Sequence, residues 1–297
     1  MPARALPFLV LGVVVVSFAA ILIRFAHAEG ASSLAIAAVR LTVAALVLAP
    51  FAWLRAGAEM FRLRGRELAL CMLSGTLLAV HFWSWITSLE HTSVASSTAL
   101  VTTNPLWVAL ASAIFLRERP GGAAIAGILL TLAGSALVFA ADASRAADPN
   151  SAPMLGNFLA LAGAMAASGY LLVGRALRTR VSLTAYIWLA YSTAACLLLA
   201  AAMATGVALK SLPGAAWIFM VALALGPQLI GHTTFNWALR RLTATFVAVA
   251  ILGEPVGSAL LAYFIFGEHF GGLQFAGFSL LLVGIFVVAR GEKFGEA

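Results

Sequence analysis

The chain alternates long apolar runs with short polar turns. Ten such runs stand out, at 5–25, 32–54, 67–88, 93–116, 121–140, 154–174, 183–205, 215–238, 243–266 and 271–289. At 1.5 Å per residue, about twenty residues cover the ~30 Å hydrocarbon core of a bilayer, so each run predicts a transmembrane helix. A soluble helix would keep a broad polar face, and these runs do not. The turns are short, and none is long enough to hold a soluble domain. The longest, 141–153, is rich in Ala, Asp and Ser and divides five runs from five.

The two sets of five are copies. Pro105–Ala140 returns 150 residues later as Pro255–Arg290. Pro105 pairs with Pro255, Glu118 with Glu268, Gly121 and Gly122 with Gly271 and Gly272, Gly127 with Gly277, and Gly134 with Gly284. The first run aligns with the sixth at an offset of 151, matching Ser17 to Ser168 and Arg24 to Arg175. An odd number of spans per copy forces the second copy to lie upside down relative to the first. The predicted fold is therefore an all-α integral membrane protein of ten transmembrane helices, arranged as two inverted five-helix repeats around a central cavity. Residues 1–140 form the first repeat, 141–153 an extracytoplasmic linker, and 154–297 the second repeat.

Composition agrees: 63% of the 297 residues are hydrophobic and 10% charged, where a soluble domain carries about 25% charge. Mean hydropathy is +1.03. The net charge of +7 would suit nucleic acid, but its placement argues otherwise. With the amino terminus in the cytoplasm, 14 basic residues fall on that side: Arg4, Arg55, Arg62, Arg64, Arg66, Arg117, Arg119, Arg175, Arg178, Arg180, Arg240, Arg241, Arg290 and Lys293. Three fall on the other: Arg24, Arg145 and Lys210. This is the positive-inside pattern. It puts both termini in the cytoplasm, gives the halves opposite orientations, and makes anionic lipid rather than nucleic acid the partner of the basic loops. The first 28 residues mimic a signal peptide, with Ala26-His27-Ala28 as the cleavage-like site. Their match to the sixth run predicts that they stay. Cys71 and Cys196 lie apart within apolar runs and read as small apolar side chains. No disulfide, metal site or cofactor motif follows from them.

Polar residues at membrane depth are costly and usually face a cavity or a partner. Glu254 is the one acidic residue central to a run, and its repeat mate is Asn104. Each precedes a proline, and Pro105 and Pro255 should leave the carbonyls of Val101 and Ile251 without their usual donors. Asn104 and Glu254 thus mark two disturbed helix centres, read either as substrate-site residues or as staples of a kink. Arg40 lies mid-run, and its partner is Glu254, a substrate carboxylate or a set of helix carbonyls. Gln228, His232 and Asn236 recur every four residues, on one predicted helical face, after a break at Gly226-Pro227. His81 and Trp85 share a face of the third run, with Ser74 and Ser88. Trp107 lies a turn beyond Asn104. Tyr170 adds a hydroxyl from the small-residue sixth run, where Gly and Ala permit close helix packing.

These features resemble the drug/metabolite transporter superfamily, and within it the EamA-type ten-helix exporters. The resemblance covers nearly the whole chain. It is carried by Asn104-Pro105 with Leu116-Arg117-Glu118-Arg119-Pro120, by Glu254-Pro255 with Phe266-Gly267-Glu268, and by the Ala35–Arg40 stretch. Overall similarity is to the bacterial aromatic amino-acid exporters. The second half departs by having Glu268-His269-Phe270 where the first has basic and proline residues. That loss of basic charge is expected of a turn outside the cell. The resemblance implies a cavity between the halves, alternating access and transport without ATP, in a bacterial inner membrane.

The expected function is export of small metabolites, foremost amino acids with aromatic or other apolar side chains. Glu254 or amides would hold the ammonium, rings the side chain, and Arg40, a histidine or a helix end the carboxylate. The expected substrate-binding set is His81, Trp85, Asn104, Trp107, Tyr170, Gln228, His232, Asn236 and Glu254, with Arg40 as a charge partner. A cationic drug is the alternative cargo. A channel should show a selectivity ring, and an intramembrane enzyme a nucleophile–base pair or a metal motif such as H-E-x-x-H; the sequence displays neither. A monomer suffices for this scheme.

Overall fold

The computed structural model describes residues 2–115, 121–145, 152–177, 180–238, 247, 250–251 and 253–291. Among these there is no β-strand. The helices are α1 (Pro2–Ser17), α2 (Ala19–Ala28), α3 (Ser33–Arg62), α4 (Arg66–His91), α5 (Val94–Val101), α6 (Asn104–Phe115), α7 (Gly122–Arg145), α8 (Pro153–Leu177), α9 (Leu183–Ala204), α10 (Gly214–Leu223), α11 (Thr233–Ala238), α12 (Gly253–Phe266) and α13 (Gly272–Gly291). A π-helical segment, Ala224–His232, joins α10 to α11. Among the described residues six helical runs are long and apolar enough to cross a membrane: Pro7–Ala28, Ser33–Arg62, Arg66–His91, Pro153–Leu177, Leu183–Ala204 and Gly214–Ala238. Ile125–Ala141, Gly253–Phe266 and Gly272–Gly284 are shorter apolar stretches. Phe61, Leu54 and Phe264 stand exposed, as side chains facing lipid would. The turn at 116–120 with its Glu118, much of the 141–153 linker and the basic pair Arg240 and Arg241 lie outside the described residues.

Matching local signals start matching helices in the two copies. Ser32 caps α3 by accepting from Ala35 N at 3.3 Å, and Ser182 caps α9 by accepting from Ala185 N at 3.2 Å. These residues are 150 apart, and each cap fills an otherwise orphaned helix donor. Pro105 sits in the first turn of α6, where its missing N–H is no loss. The expected kink there is a full break: α5 ends at Val101 and α6 begins at Asn104. Pro255 likewise lies in the first turn of α12. Pro227 is inside the π segment, where wider i→i+5 bonding accommodates a side chain that breaks the α ladder.

Helix packing follows the small residues. A Cβ added to Gly134 of α7 would lie 2.7 Å from Gly277 O of α13, and one added to Gly284 would lie 2.7 Å from Gly127 O. As the position rises on one helix it falls on the other, so α7 and α13 run antiparallel. Exchanging each glycine for its repeat mate turns the Gly127–Gly284 contact into Gly277–Gly134, so this interface maps onto itself. The same exchange relates α4 on α8 to the π segment on α1, and α3 packs on its mate α9. Ser258 Oγ donates to Ser17 O at 3.0 Å, while Ser168 Oγ, the mate of Ser17, donates to Asn104 O at 3.2 Å.

Gly134→Val should be destabilising by about 1–3 kcal/mol or more, because the added carbons meet backbone that cannot turn aside. Gly122→Ala, where a Cβ would meet nothing within 4 Å, should be near neutral. Melting of the two purified variants in detergent checks the difference.

Candidate functional site

The α5–α6 break, the first turn of α12 and the π segment converge on one cavity. Its walls are Leu78, His81 and Trp85 from α4, Val101 and Thr102 at the end of α5, and Asn104 at the start of α6. Ala167, Tyr170 and Leu171 of α8 add a second wall; His232, Phe235, Asn236, Ile251 and Glu254 complete it. The space is narrow, with room for a few water molecules.

Seven of the nine residues picked from sequence as substrate-binding meet here: His81, Trp85, Asn104, Tyr170, His232, Asn236 and Glu254. Two do not. Trp107 is half-buried and its indole donates back along the helix to Thr103 Oγ1 at 3.0 Å, outside the cavity wall. Gln228 is fully buried and accepts from Arg40 Nε at 2.9 Å, behind the wall. The physical reason is Arg40: its guanidinium takes up the carboxamide oxygen and so holds the Gln228 side chain off the cavity that His232 and Asn236 line.

Asn104 and Glu254 differ in their use. With its amide oriented by its neighbours, Asn104 donates to Val101 O at 3.2 Å and Ala164 O at 3.0 Å. It thereby fills the carbonyl that Pro105 deprives of a donor. Glu254 is 8% exposed and lies in the first turn of α12. It has no hydrogen bond or ion pair among the described residues. A carboxylate in that setting is available for a cation or a donor that enters the cavity.

The imidazole of His81 bonds Gly163 O through Nδ1 at 3.0 Å, which assigns the proton to Nδ1 and leaves Nε2 as an acceptor. Its ring stacks on Trp85, centroids 5.9 Å apart and planes 11° off parallel, and meets His232 edge-on at 6.3 Å. Trp85 is buried and lines the cavity. On the opposite wall Asn236 Nδ2 donates to Tyr170 Oη at 2.5 Å and to His232 O at 2.9 Å. Tyr170 stacks on Tyr186, whose hydroxyl bonds Ser74 at 2.7 Å. Trp85 Nε1 and Asn236 Oδ1 are left without partners among the described residues, and Glu254 is the acidic group on the cavity wall. Leu78, Val101, Leu171 and Ile251 also line the cavity and carry no mark in sequence, since apolar residues on a lipid-facing side look the same as those on a cavity.

One end of the bundle is tied shut. Arg24 Nη2 pairs with Glu268 Oε1 at 3.2 Å and donates to Thr92 O at 3.0 Å. Glu268 also accepts from Val94 N at 3.1 Å, at the start of α5. The tie joins α2, the α4–α5 turn and the α12–α13 turn, and so links first-half helices to the second half.

A family model described as the EamA-like transporter family matches twice, over residues 3–140 and 154–290. The chain belongs to the EamA-like transporter family. It is thus an integral membrane transporter of the drug/metabolite transporter superfamily, acting on a small molecule. Among similar proteins is a "Probable terminal-alkyne amino-acid exporter" of Streptantibioticus cattleyicolor, 28% identical over 258 residues, covering 84% of this chain and 82% of that one. A solved crystal structure superposes with a TM-score of 0.66 over 96% of each chain at 22% identity. That likeness is one of fold.

Proposed function

We propose that this EamA-like transporter exports amino acids with aromatic or other apolar side chains, by alternating access and without ATP. The observation that carries the reading is the Glu254 carboxylate, without a hydrogen bond or contact ion pair among the described residues, in a cavity otherwise walled by rings, amides, a hydroxyl and aliphatic side chains. A carboxylate accepts strong charge-assisted bonds from an ammonium, and Trp85, Tyr170 and Phe235 offer apolar faces to a side chain. The name of the Streptantibioticus relative favours the same cargo class. Inverted halves and ten spans are supported by the antiparallel α7–α13 interface that maps onto itself. In such architectures the halves rock around a midplane site, and the narrow cavity calls for such parting before a substrate fits. The basic-residue asymmetry supports both termini in the cytoplasm, in a bacterial inner membrane. A lipophilic cation is the second reading, because Glu254 with rings suits it too.

The test is transport by the purified protein in liposomes, offered phenylalanine, leucine and cationic dyes with and without a pH gradient. Saturable movement of the amino acids is expected. Movement of dyes alone would transfer the function to the second reading, and movement of none would reject both. A requirement for the gradient would assign proton coupling, with Glu254 as its carrier; transport without one would assign facilitated diffusion.

A further inference from the structure

Arg40 lies in the middle of α3 with none of its surface exposed. Its Nε donates to Gln228, and its guanidinium carbon sits 4.0 Å from the centre of the Phe82 ring. Both terminal nitrogens, Nη1 and Nη2, are buried without a hydrogen-bond acceptor among the described residues. No carboxylate of those residues stands within ion-pair distance of it, and the Arg40–Glu254 pairing expected as one option is not formed. A purely structural arginine at this depth would fill its donors with carbonyls or a carboxylate, since unfilled ones are costly. Two adjacent free N–H groups on a planar fork match the two oxygens of a carboxylate.

A single layer of rings separates this fork from the cavity. Phe82, on which Arg40 lies, meets His232 edge-on at 5.2 Å, and His232 lines the cavity. The π segment carries both His232, in the covering layer, and Gln228, which holds Nε. A shift in that segment would move the cover and the holder together. π-bonded turns are rare inside helices and are frequent at functional sites.

We propose that Arg40 is the carboxylate subsite of the transported molecule, uncovered when the Phe82–His232 layer parts. The inference rests on the amino-acid reading above and deepens it: Glu254 takes the ammonium, Arg40 the carboxylate, and the cavity rings the side chain. Specificity follows. An amino acid should be carried in preference to its amide or decarboxylated amine, because only the acid fills both nitrogens.

The experiment compares phenylalanine, phenylalaninamide and phenethylamine in liposomes bearing the wild type, Arg40→Lys or Arg40→Met, with melting of each protein measured with and without phenylalanine. In Arg40→Met the phenylalanine rate should fall at least about tenfold, the usual cost of stranding a built polar subsite. The amide and amine rates should change less than about twofold, so the preference collapses. Arg40→Lys should keep part of it, as a charge without the fork. The unliganded melting temperature of Arg40→Met should not fall, because a poorly satisfied cation is removed, while its stabilisation by phenylalanine disappears. An unchanged acid-to-amide ratio overturns the proposal. So does a lowered unliganded melting temperature with all three rates reduced alike, which is the signature of a structural arginine. If the wild type carries the amide and amine but not the acid, the amino-acid reading itself fails, and the carboxylate subsite with it.

Discussion

Glu254→Gln is expected to lower transport at least about tenfold, equivalent to ~1.4 kcal/mol of lost substrate or transition-state stabilisation, while the folded yield stays near that of the wild type. Glutamine keeps the size and a hydrogen-bonding capacity and removes the charge that receives the ammonium. Folding should survive because no hydrogen bond or contact ion pair to Glu254 is broken among the described residues: Arg40 is held in contact by Gln228 and Phe82, and the carboxylate acts on it only from beyond ion-pair distance. Removing a buried charge also lowers its desolvation cost. Asn104→Ala should behave in the opposite way. Its amide fills Val101 O and Ala164 O, so yield and melting should suffer at least as much as transport. Measuring yield, melting and transport together for the two mates separates a cargo residue from a staple. Normal yield with unchanged transport of every substrate in Glu254→Gln would remove Glu254 from the site.

The second large effect is expected at the Arg24–Glu268 tie. The pair is only partly shielded, with 31% and 15% of the side chains exposed, so its Coulomb energy alone is modest. Its weight comes from the shared bonds to Thr92 O and Val94 N, which hold three turns together. Glu268→Ala removes the ion pair and the Val94 N bond, leaving only Arg24 on Thr92 O, and should favour opening at this end by roughly tenfold, ~1.4 kcal/mol. A Ser96→Cys reporter, at a position fully buried nearby, should then react roughly tenfold faster with an aqueous thiol reagent. The charge swap Arg24→Glu with Glu268→Arg should recover only part of the closure, since arginine cannot accept from Val94 N. An unchanged reaction rate would show that the tie does not govern access.

The apolar periodicity and the 150-residue offset carried most of the fold, because burial in lipid and close glycine packing both leave marks in sequence. Gly127, Gly134, Gly277 and Gly284 were visible as repeat mates, and they turn out to be where α7 and α13 touch. The site was legible where a polar residue had no cheap reason to be buried: Glu254, Asn104, His81, His232 and Asn236. It was illegible where another side chain takes up the polar group. Gln228 was placed on the cavity face by its spacing, but Arg40, 188 residues away in sequence, holds its carboxamide behind the wall. Trp107 was picked for its nearness to Asn104, but its indole is taken up by Thr103, four residues back. The tie at Glu268 was seen only as a repeat of Glu118, since its partners Arg24 and Thr92 are remote in sequence. Phe82 gave no hint that it shelters a guanidinium.

The central claim is that one cavity between two halves faces each side of the membrane in turn and holds the cargo. Ala167 lines that cavity, is buried, and tolerates a thiol by size. In a background with Cys71 and Cys196 replaced by alanine, Ala167→Cys in sealed liposomes of known orientation should react with a membrane-impermeant thiol reagent applied from either side. Phenylalanine should slow both reactions. Reaction from one side only, or no protection by any transported substrate, would contradict the account.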